Sequence, residues 1–164
     1  QRQMCIRDRI QSVDEGVGRL VAKLNKSGQR NNTVILFYSD NGGYGPATDM
    51  APLYGYKGNY FEGGIRVPFF VNWPNRIKKD QKTDEPIIGV DIFPALLDLS
   101  GANRPHQTLD GISLLPLFLG QVKTAGPRPL FWHFPSYFYR STRITRVFPI
   151  GMPIFLHIHL NTDK

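Results

Sequence analysis

The first part of the chain contains an amphipathic segment and then an unbroken apolar segment. Apolar residues recur at helical spacing over residues 10–25, and this pattern predicts a helix that packs one face on a core. Residues 34–38 are apolar without alternation. Such a run predicts a strand buried on both faces, as in a parallel sheet covered by helices. A helix followed by a buried strand favours an α/β layer architecture.

Further apolar segments extend the predicted architecture. Residues 67–73 predict a second strand. Asp91 is predicted to cap a helix that runs to Leu99, and Gly101 is placed to terminate it. Residues 109–119 form another apolar segment. The predicted fold class is therefore α/β, with helices beside a sheet.

The connection between the two predicted strands carries the first candidate chemistry. Residues 42–64 contain seven glycines and two prolines, and loops of such length in compact domains are usually functional. Asp40 and Asn41 precede this loop at the carboxyl end of the first strand, where open α/β sheets bind ligands. Their side chains offer hard oxygen ligands suited to Ca²⁺ or Mg²⁺. Asp-Asn-Gly-Gly is equally typical of a plain turn.

Lys57 is the second candidate. It lies between Gly55 and Gly58, so the backbone and the ammonium can approach a ligand closely and hold an anionic oxygen. The alternative is a solvated surface lysine. Glu62 and Arg66, which flank a Gly-Gly pair, are interpreted as a structural ion pair that braces the loop.

Composition narrows the function classes. A hydrophobic fraction of 41% indicates a folded globular protein. No apolar run reaches the roughly 18 residues of a membrane span, so none is expected. The net charge is +7, but residues 1–9 carry +2 and residues 140–164 carry +3, so we expect no nucleic-acid partner. A single cysteine, Cys5, excludes an intrachain disulfide.

Ordered blocks of this sequence resemble the sulfatase family, the formylglycine-dependent sulfuric-ester hydrolases. The likeness covers roughly residues 10–138. Its blocks are residues 12–19, 32–43, 57–58, 61–68, 90–99 and 109–111. The resemblance implies an alkaline-phosphatase-like fold, a mixed sheet with flanking helices, present here as an incomplete C-terminal portion.

The resemblance also implies roles for individual residues. Asp40 and Asn41 match a pair of ligands for one Ca²⁺ ion, whose remaining ligands are expected in an N-terminal part outside this chain. Lys57 matches the lysine that binds the sulfate and helps to stabilise charge on the leaving oxygen. His133, within Trp-His-Phe-Pro, is a candidate substrate contact.

The departures from the family pattern concern the nucleophile and both ends. The family's nucleophile is a formylglycine made from Cys in a C-x-P-S-R or C-x-A-S-R motif, which the sequence after Cys5 does not match. We therefore expect the fragment alone to be inactive. Residues 1–9 are interpreted as a non-native, adapter-derived segment, 10–138 as a sulfatase domain fragment, and 139–164 as a divergent or frame-shifted tail.

The sequence thus predicts part of a calcium-dependent enzyme that hydrolyses aryl or carbohydrate sulfate esters. A phosphatase or phosphodiesterase of the same superfamily is an alternative, although Asp40-Asn41 with Lys57 favours the one-calcium sulfatase. A non-catalytic binding domain is another. By resemblance, the parent protein is expected in the periplasm or outside the cell. The sequence indicates no oligomeric state.

Overall fold

The computed structural model describes residues 2–133 and 145–148, with the side chains of residues 6–132. Among these residues helices and strands alternate up to residue 100, a further helix and two strands then follow, and short 3₁₀ turns occur at Arg30–Asn32 and Gly89–Asp91. The helices and strands are α1 (Arg2–Lys26), β1 (Ile35–Tyr38), α2 (Glu62–Ile65), β2 (Phe69–Asn72), α3 (Ile92–Ser100), α4 (Leu115–Phe118), β3 (Leu130–His133) and β4 (Thr145–Phe148). No helix among these residues is long and apolar enough to cross a membrane.

The two predicted strands pair with each other, but the pairing is antiparallel and not parallel. β1 runs antiparallel to β2, with Ile35 opposite Asn72 and Tyr38 opposite Phe69. β3 and β4 form a separate antiparallel pair. An apolar run predicts a buried strand without fixing its direction, which explains why the expected parallel pairing of β1 is wrong for this pair.

The hydrophobic core lies on one face of the β1–β2 pair. Phe69 and Val71 of β2 are buried there together with Ala95 of α3. Phe118 of α4 is 1% exposed, and its ring stacks on that of Phe69 with the centroids 6.2 Å apart. The helices α3 and α4 therefore cover this face of the β1–β2 pair, and the glycine-rich loop connects the same two strands.

The outer face of the strands and α1 are less covered than the sequence predicts. Phe37 of β1 is 45% exposed, so burial on both faces is not observed. α1 starts at Arg2 rather than near residue 10, and Ile10, Val13 and Leu20 on it are each more than half exposed. An apolar stripe indicates a helix face that favours burial. Among the described residues, however, no hydrophobic core packs against the stripe of α1.

α3 begins and ends where the sequence predicts, but the side chain of its N-cap residue does not cap the helix. Gly101 is the C-cap, with a φ of 68°. Asp91 is the N-cap, yet its side chain makes no capping bond to the helix. It accepts hydrogen bonds from the backbone N–H groups of Ile88 (2.9 Å) and Ile112 (3.0 Å) and pairs with Arg128. This fully buried carboxylate therefore ties three chain segments together.

Candidate functional site

The turn after β1 holds the first candidate residues. Asp40 and Asn41 follow the strand at its carboxyl end, as the sequence predicts; Asp40 is exposed and Asn41 is half-buried. The Ser39 hydroxyl donates to the Asn41 carbonyl oxygen at 2.8 Å. Beyond them, the Gly42 N–H donates to the Gly64 carbonyl oxygen at 2.9 Å. The turn is thus bonded to the far end of the glycine-rich loop.

Glycines make this close packing of backbone possible. A Cβ on Gly42 would lie 1.8 Å from the Gly63 carbonyl oxygen, and a Cβ on Gly63 would lie 2.1 Å from that of Gly55. Both distances are far below any real carbon–oxygen contact, so only glycine fits. The Gly63 N–H donates to the Tyr54 carbonyl oxygen at 2.8 Å. The glycine content of the loop therefore reflects backbone stacked on backbone.

Lys57 belongs to the same assembly. Its backbone N–H donates to the Gly43 carbonyl oxygen at 2.9 Å, which joins it to the turn two residues after Asn41. Gly55 and Gly58 on either side have φ values of 92° and 96°, a conformation that favours glycine. The Lys57 side chain is exposed, and no carboxylate of the described residues pairs with it. The structure therefore brings Lys57 into the loop that contacts the Asp40–Asn41 turn.

The predicted brace of Glu62 and Arg66 is confirmed. The two side chains form an ion pair at 2.7 Å within the short helix α2 and its C-cap. Glu62 is 30% exposed and Arg66 is 12% exposed, so the pair is largely shielded from solvent. Near it, burial raises the pKa of the Tyr60 hydroxyl. The pair fixes the segment that leaves the loop for β2.

A cavity that the sequence did not reveal opens in the same loop. Its volume is about 380 Å³, and it is lined by Gly45 and residues 48–56. Tyr54 and Tyr56, both mostly exposed, are among these residues. Two tyrosines stand close together just before Lys57 in the sequence, and this spacing could have predicted an aromatic surface.

The donor set suits part of a calcium shell. Asp40 and Asn41 supply a carboxylate and an amide oxygen, the hard ligands that Ca²⁺ favours. In the part of the chain that the structure describes, no group of three or more His, Cys, Asp and Glu side chains is placed to hold a metal. Ca²⁺ takes about six to eight oxygens, so this pair accounts for a minority of a shell. His133 ends β3, and its side chain lies outside the described residues.

Solved structures define the fold class. A solved structure, "Ps i-CgsB in complex with k-i-k-neocarrahexaose", is 33% identical, with a TM-score of 0.65 over 76% of this chain and 28% of that chain. "BT4656 in complex with its substrate D-Glucosamine-2-N, 6-O-disulfate" is 25% identical, with a TM-score of 0.64 over 84% of this chain and 28% of that chain. The chain is thus part of an alkaline-phosphatase-like α/β fold, as predicted.

Family models and relatives then identify the family. The model described as sulfatase matches residues 5–102, and that for the C-terminal part of N-sulphoglucosamine sulphohydrolase matches residues 54–163. Steryl-sulfatase of Rattus norvegicus is 37% identical over 142 residues, which are 79% of this chain and 24% of that protein. Arylsulfatase A of Homo sapiens is 34% identical over 134 residues, 79% of this chain and 26% of that protein. The chain belongs to the sulfatase family, and it spans about a quarter of the length of these relatives.

Proposed function

We propose that this chain is the C-terminal part of a calcium-dependent sulfatase that hydrolyses sulfate esters. The observation that carries the proposal is the pair of backbone bonds, Gly42 to Gly64 and Lys57 to Gly43, that join the loop of Lys57 to the turn of Asp40 and Asn41. Relatives named steryl-sulfatase and arylsulfatase support the reaction type. The parent enzyme would act in the periplasm or outside the cell.

Each residue has a distinct part in the proposed reaction. The Lys57 ammonium binds a sulfate oxygen and stabilises the negative charge that develops on the leaving oxygen. Asp40 and Asn41 would ligate calcium, which would supply positive charge to neutralise the sulfate oxygens. The backbone bonds of Gly42 and Gly43 join the turn that carries Asp40 and Asn41 to the loop that carries Lys57, which supports this assignment. The nucleophile, a formylglycine, belongs to a segment outside this chain.

The substrate class is an aryl or carbohydrate sulfate ester. The two structural neighbours described above are complexes with a carrahexaose and with a glucosamine disulfate. The second, whose ligand is named as its substrate, supports a sulfated carbohydrate as the substrate here. His133 remains a candidate substrate contact.

The test compares the 164-residue chain with a full-length enzyme that includes the upstream sequence. On a chromogenic aryl sulfate we expect no turnover by the chain and turnover by the full-length enzyme. Lys57→Ala should lower kcat/KM of the latter by about 10²–10³-fold, because it removes a charge that acts on the transition state. Lys78→Ala, an exposed lysine outside the loop, is the matched control and should leave turnover unchanged.

Other outcomes would contradict the proposal in distinguishable ways. Turnover by the chain alone that Lys57→Ala abolishes would show that no further segment is needed. Unchanged kcat/KM in the full-length Lys57→Ala variant would remove Lys57 from the reaction. Hydrolysis of the matching phosphate ester without hydrolysis of the sulfate ester would identify a phosphatase.

A further inference from the structure

The cavity in the glycine-rich loop lies directly before Lys57 in the chain. Its volume of about 380 Å³ falls within the range of roughly 300–1,000 Å³ that is usual for small-ligand sites. Its lining ends at Tyr56, the residue next to Lys57. Because the Lys57 backbone is bonded to Gly43, this end of the cavity adjoins the turn that carries Asp40 and Asn41. A ligand in the cavity would therefore lie next to the backbone of Lys57 and of this turn.

Two positioned tyrosines give the cavity its chemistry. Tyr54 is 73% exposed, and its ring meets Phe61 edge to face, with the centroids 4.6 Å apart. Tyr56 is 51% exposed, and a Cβ on Gly45 would lie 2.8 Å from its ring, so the ring packs directly on that glycine. Both rings are thus held from behind while much of their surface faces solvent. Such rings offer an apolar face together with a hydroxyl.

A carboxylate completes the lining. One oxygen of Asp49 accepts the Ala51 N–H at 2.9 Å, which orients the group, and Asp49 is exposed. Its second carboxylate oxygen can accept hydrogen bonds from a ligand. A purely apolar ring, such as an aryl or sterol ring, offers it no hydrogen-bond donor. A sugar ring matches both features, since it presents C–H groups on its faces and hydroxyl donors at its edge.

We propose that Tyr54, Tyr56 and Asp49 form a binding site for the ring of a sulfated sugar, with the sulfate at Lys57. This inference rests on the proposed function, because Lys57 supplies the sulfate contact. It deepens that function by selecting carbohydrate sulfates from the wider class of sulfate esters. The tyrosines act on ring binding, and the ammonium acts on the sulfate.

Saturation-transfer NMR on the 164-residue chain tests the site, with glucose 6-sulfate as the probe, glucose and phenyl sulfate for comparison, and inorganic sulfate as an unobserved competitor. We expect transfer to the sugar ring protons of glucose 6-sulfate. Tyr54→Ala and Tyr56→Ala should each weaken its binding about fivefold or more, because each removes one ring face. Tyr44→Ala is the matched control, a tyrosine of the same loop that is 62% exposed and outside the cavity lining, and it should change nothing. Circular dichroism of each variant checks its folding.

The outcomes separate the sugar site from the proposed function. Absence of glucose 6-sulfate binding by the folded chain, or equal binding by wild type, Tyr54→Ala and Tyr56→Ala, overturns the sugar site. Tyrosine-dependent binding of phenyl sulfate that exceeds binding of glucose 6-sulfate also overturns it, in favour of an aryl site. Tyrosine-dependent sugar binding together with unchanged kcat/KM in the full-length Lys57→Ala variant supports the sugar site and rejects the role of Lys57.

Discussion

At the residue scale, Asp91 is the charged side chain that the described part of the chain buries completely. Its carboxylate accepts hydrogen bonds from two backbone N–H groups and pairs with Arg128, whose Nη1 atom donates to it at 2.8 Å. The Arg128 side chain is itself 18% exposed, and its buried Nε has no hydrogen-bond partner among the described residues. The arginine therefore depends on Asp91 for compensation of its charge.

We predict that Asp91→Asn destabilises the chain by about 3–5 kcal/mol, because it leaves a largely buried guanidinium without its counter-charge. The double variant Asp91→Asn with Arg128→Met should cost less than the sum of the single changes, since the unpaired charge is then gone. Urea denaturation measures each change, with the exposed Asp84→Asn as the control. Additive losses would mean that the two side chains are not coupled.

Sequence reasoning located Asp91 and not its partner. A helix N-cap is a local pattern, so the position of Asp91 was predictable from the residues that follow it. Arg128 lies 37 residues away, and no periodicity marks it. The Glu62–Arg66 pair was predictable because its partners lie four residues apart in a helical turn. Short-range pairs are readable from sequence, whereas this long-range pair needed the fold.

At the element scale, the C-terminus of α3 depends on the backbone conformation of Gly101. Its φ is 68°, and a Cβ there would meet no atom within 4 Å. Gly101→Ala should therefore cost about 1 kcal/mol through backbone strain alone. Gly89→Ala is a matched control, because a Cβ at Gly89 is equally unobstructed and its φ is not positive. Thermal unfolding compares the two, and equal midpoints would contradict the assignment of strain to Gly101.

The same end of α3 carries a pH-sensitive contact. Hydrogen bonds from Ser113 and from Arg104 lower the pKa of Asp98 below its ordinary value of 3.8. The Arg104 bonds are 3.0 and 3.1 Å long. Because the folded pKa is lowered, the stabilisation is fully present above the ordinary pKa and is lost as the pH falls through the folded value.

We predict that Asp98→Asn lowers stability by at most about 1 kcal/mol at pH 7, since the pair is partly exposed, and that this difference shrinks toward zero as the pH falls well below 4. Urea midpoints at a series of pH values measure it. Asp110→Asn, an exposed carboxylate farther along the same connection, is the control. A difference of constant size from pH 7 to pH 2 would contradict the linkage.

The apolar patterns predicted the positions of helices and strands, but they did not predict which other segments pack against these elements. β1, β2 and α3 lie where the apolar runs placed them, within one or two residues at each end. The antiparallel pairing of β1 and the exposed stripe of α1 did not follow from those runs. Strand direction and helix cover depend on contacts between distant segments, and a local pattern carries no information about these.

At the scale of the whole molecule, family and fold were readable because several short blocks occur in a fixed order. The two family models match residues 5–102 and 54–163, so together the matches extend over almost the entire chain. The cavity beside Lys57 was not readable, because its walls come from a glycine-rich loop without periodicity. The backbone bonds that join this loop to the Asp40–Asn41 turn are likewise a product of the fold.

Calcium binding gives the prediction that belongs to the whole molecule. Asp40 and Asn41 offer two side chains from one turn, whereas Ca²⁺ takes about six to eight oxygens, so the 164-residue chain should bind Ca²⁺ only on the order of millimolar or more weakly. Adding the upstream sequence should tighten binding greatly, since it would bring further carboxylates. In that full-length enzyme Asp40→Ala should weaken binding and lower turnover, while Asp14→Ala, an exposed carboxylate on α1, should do neither. Isothermal titration of both proteins decides the matter: tight binding by the chain alone, or unchanged affinity in the Asp40→Ala enzyme, would remove Asp40 and Asn41 from the calcium shell.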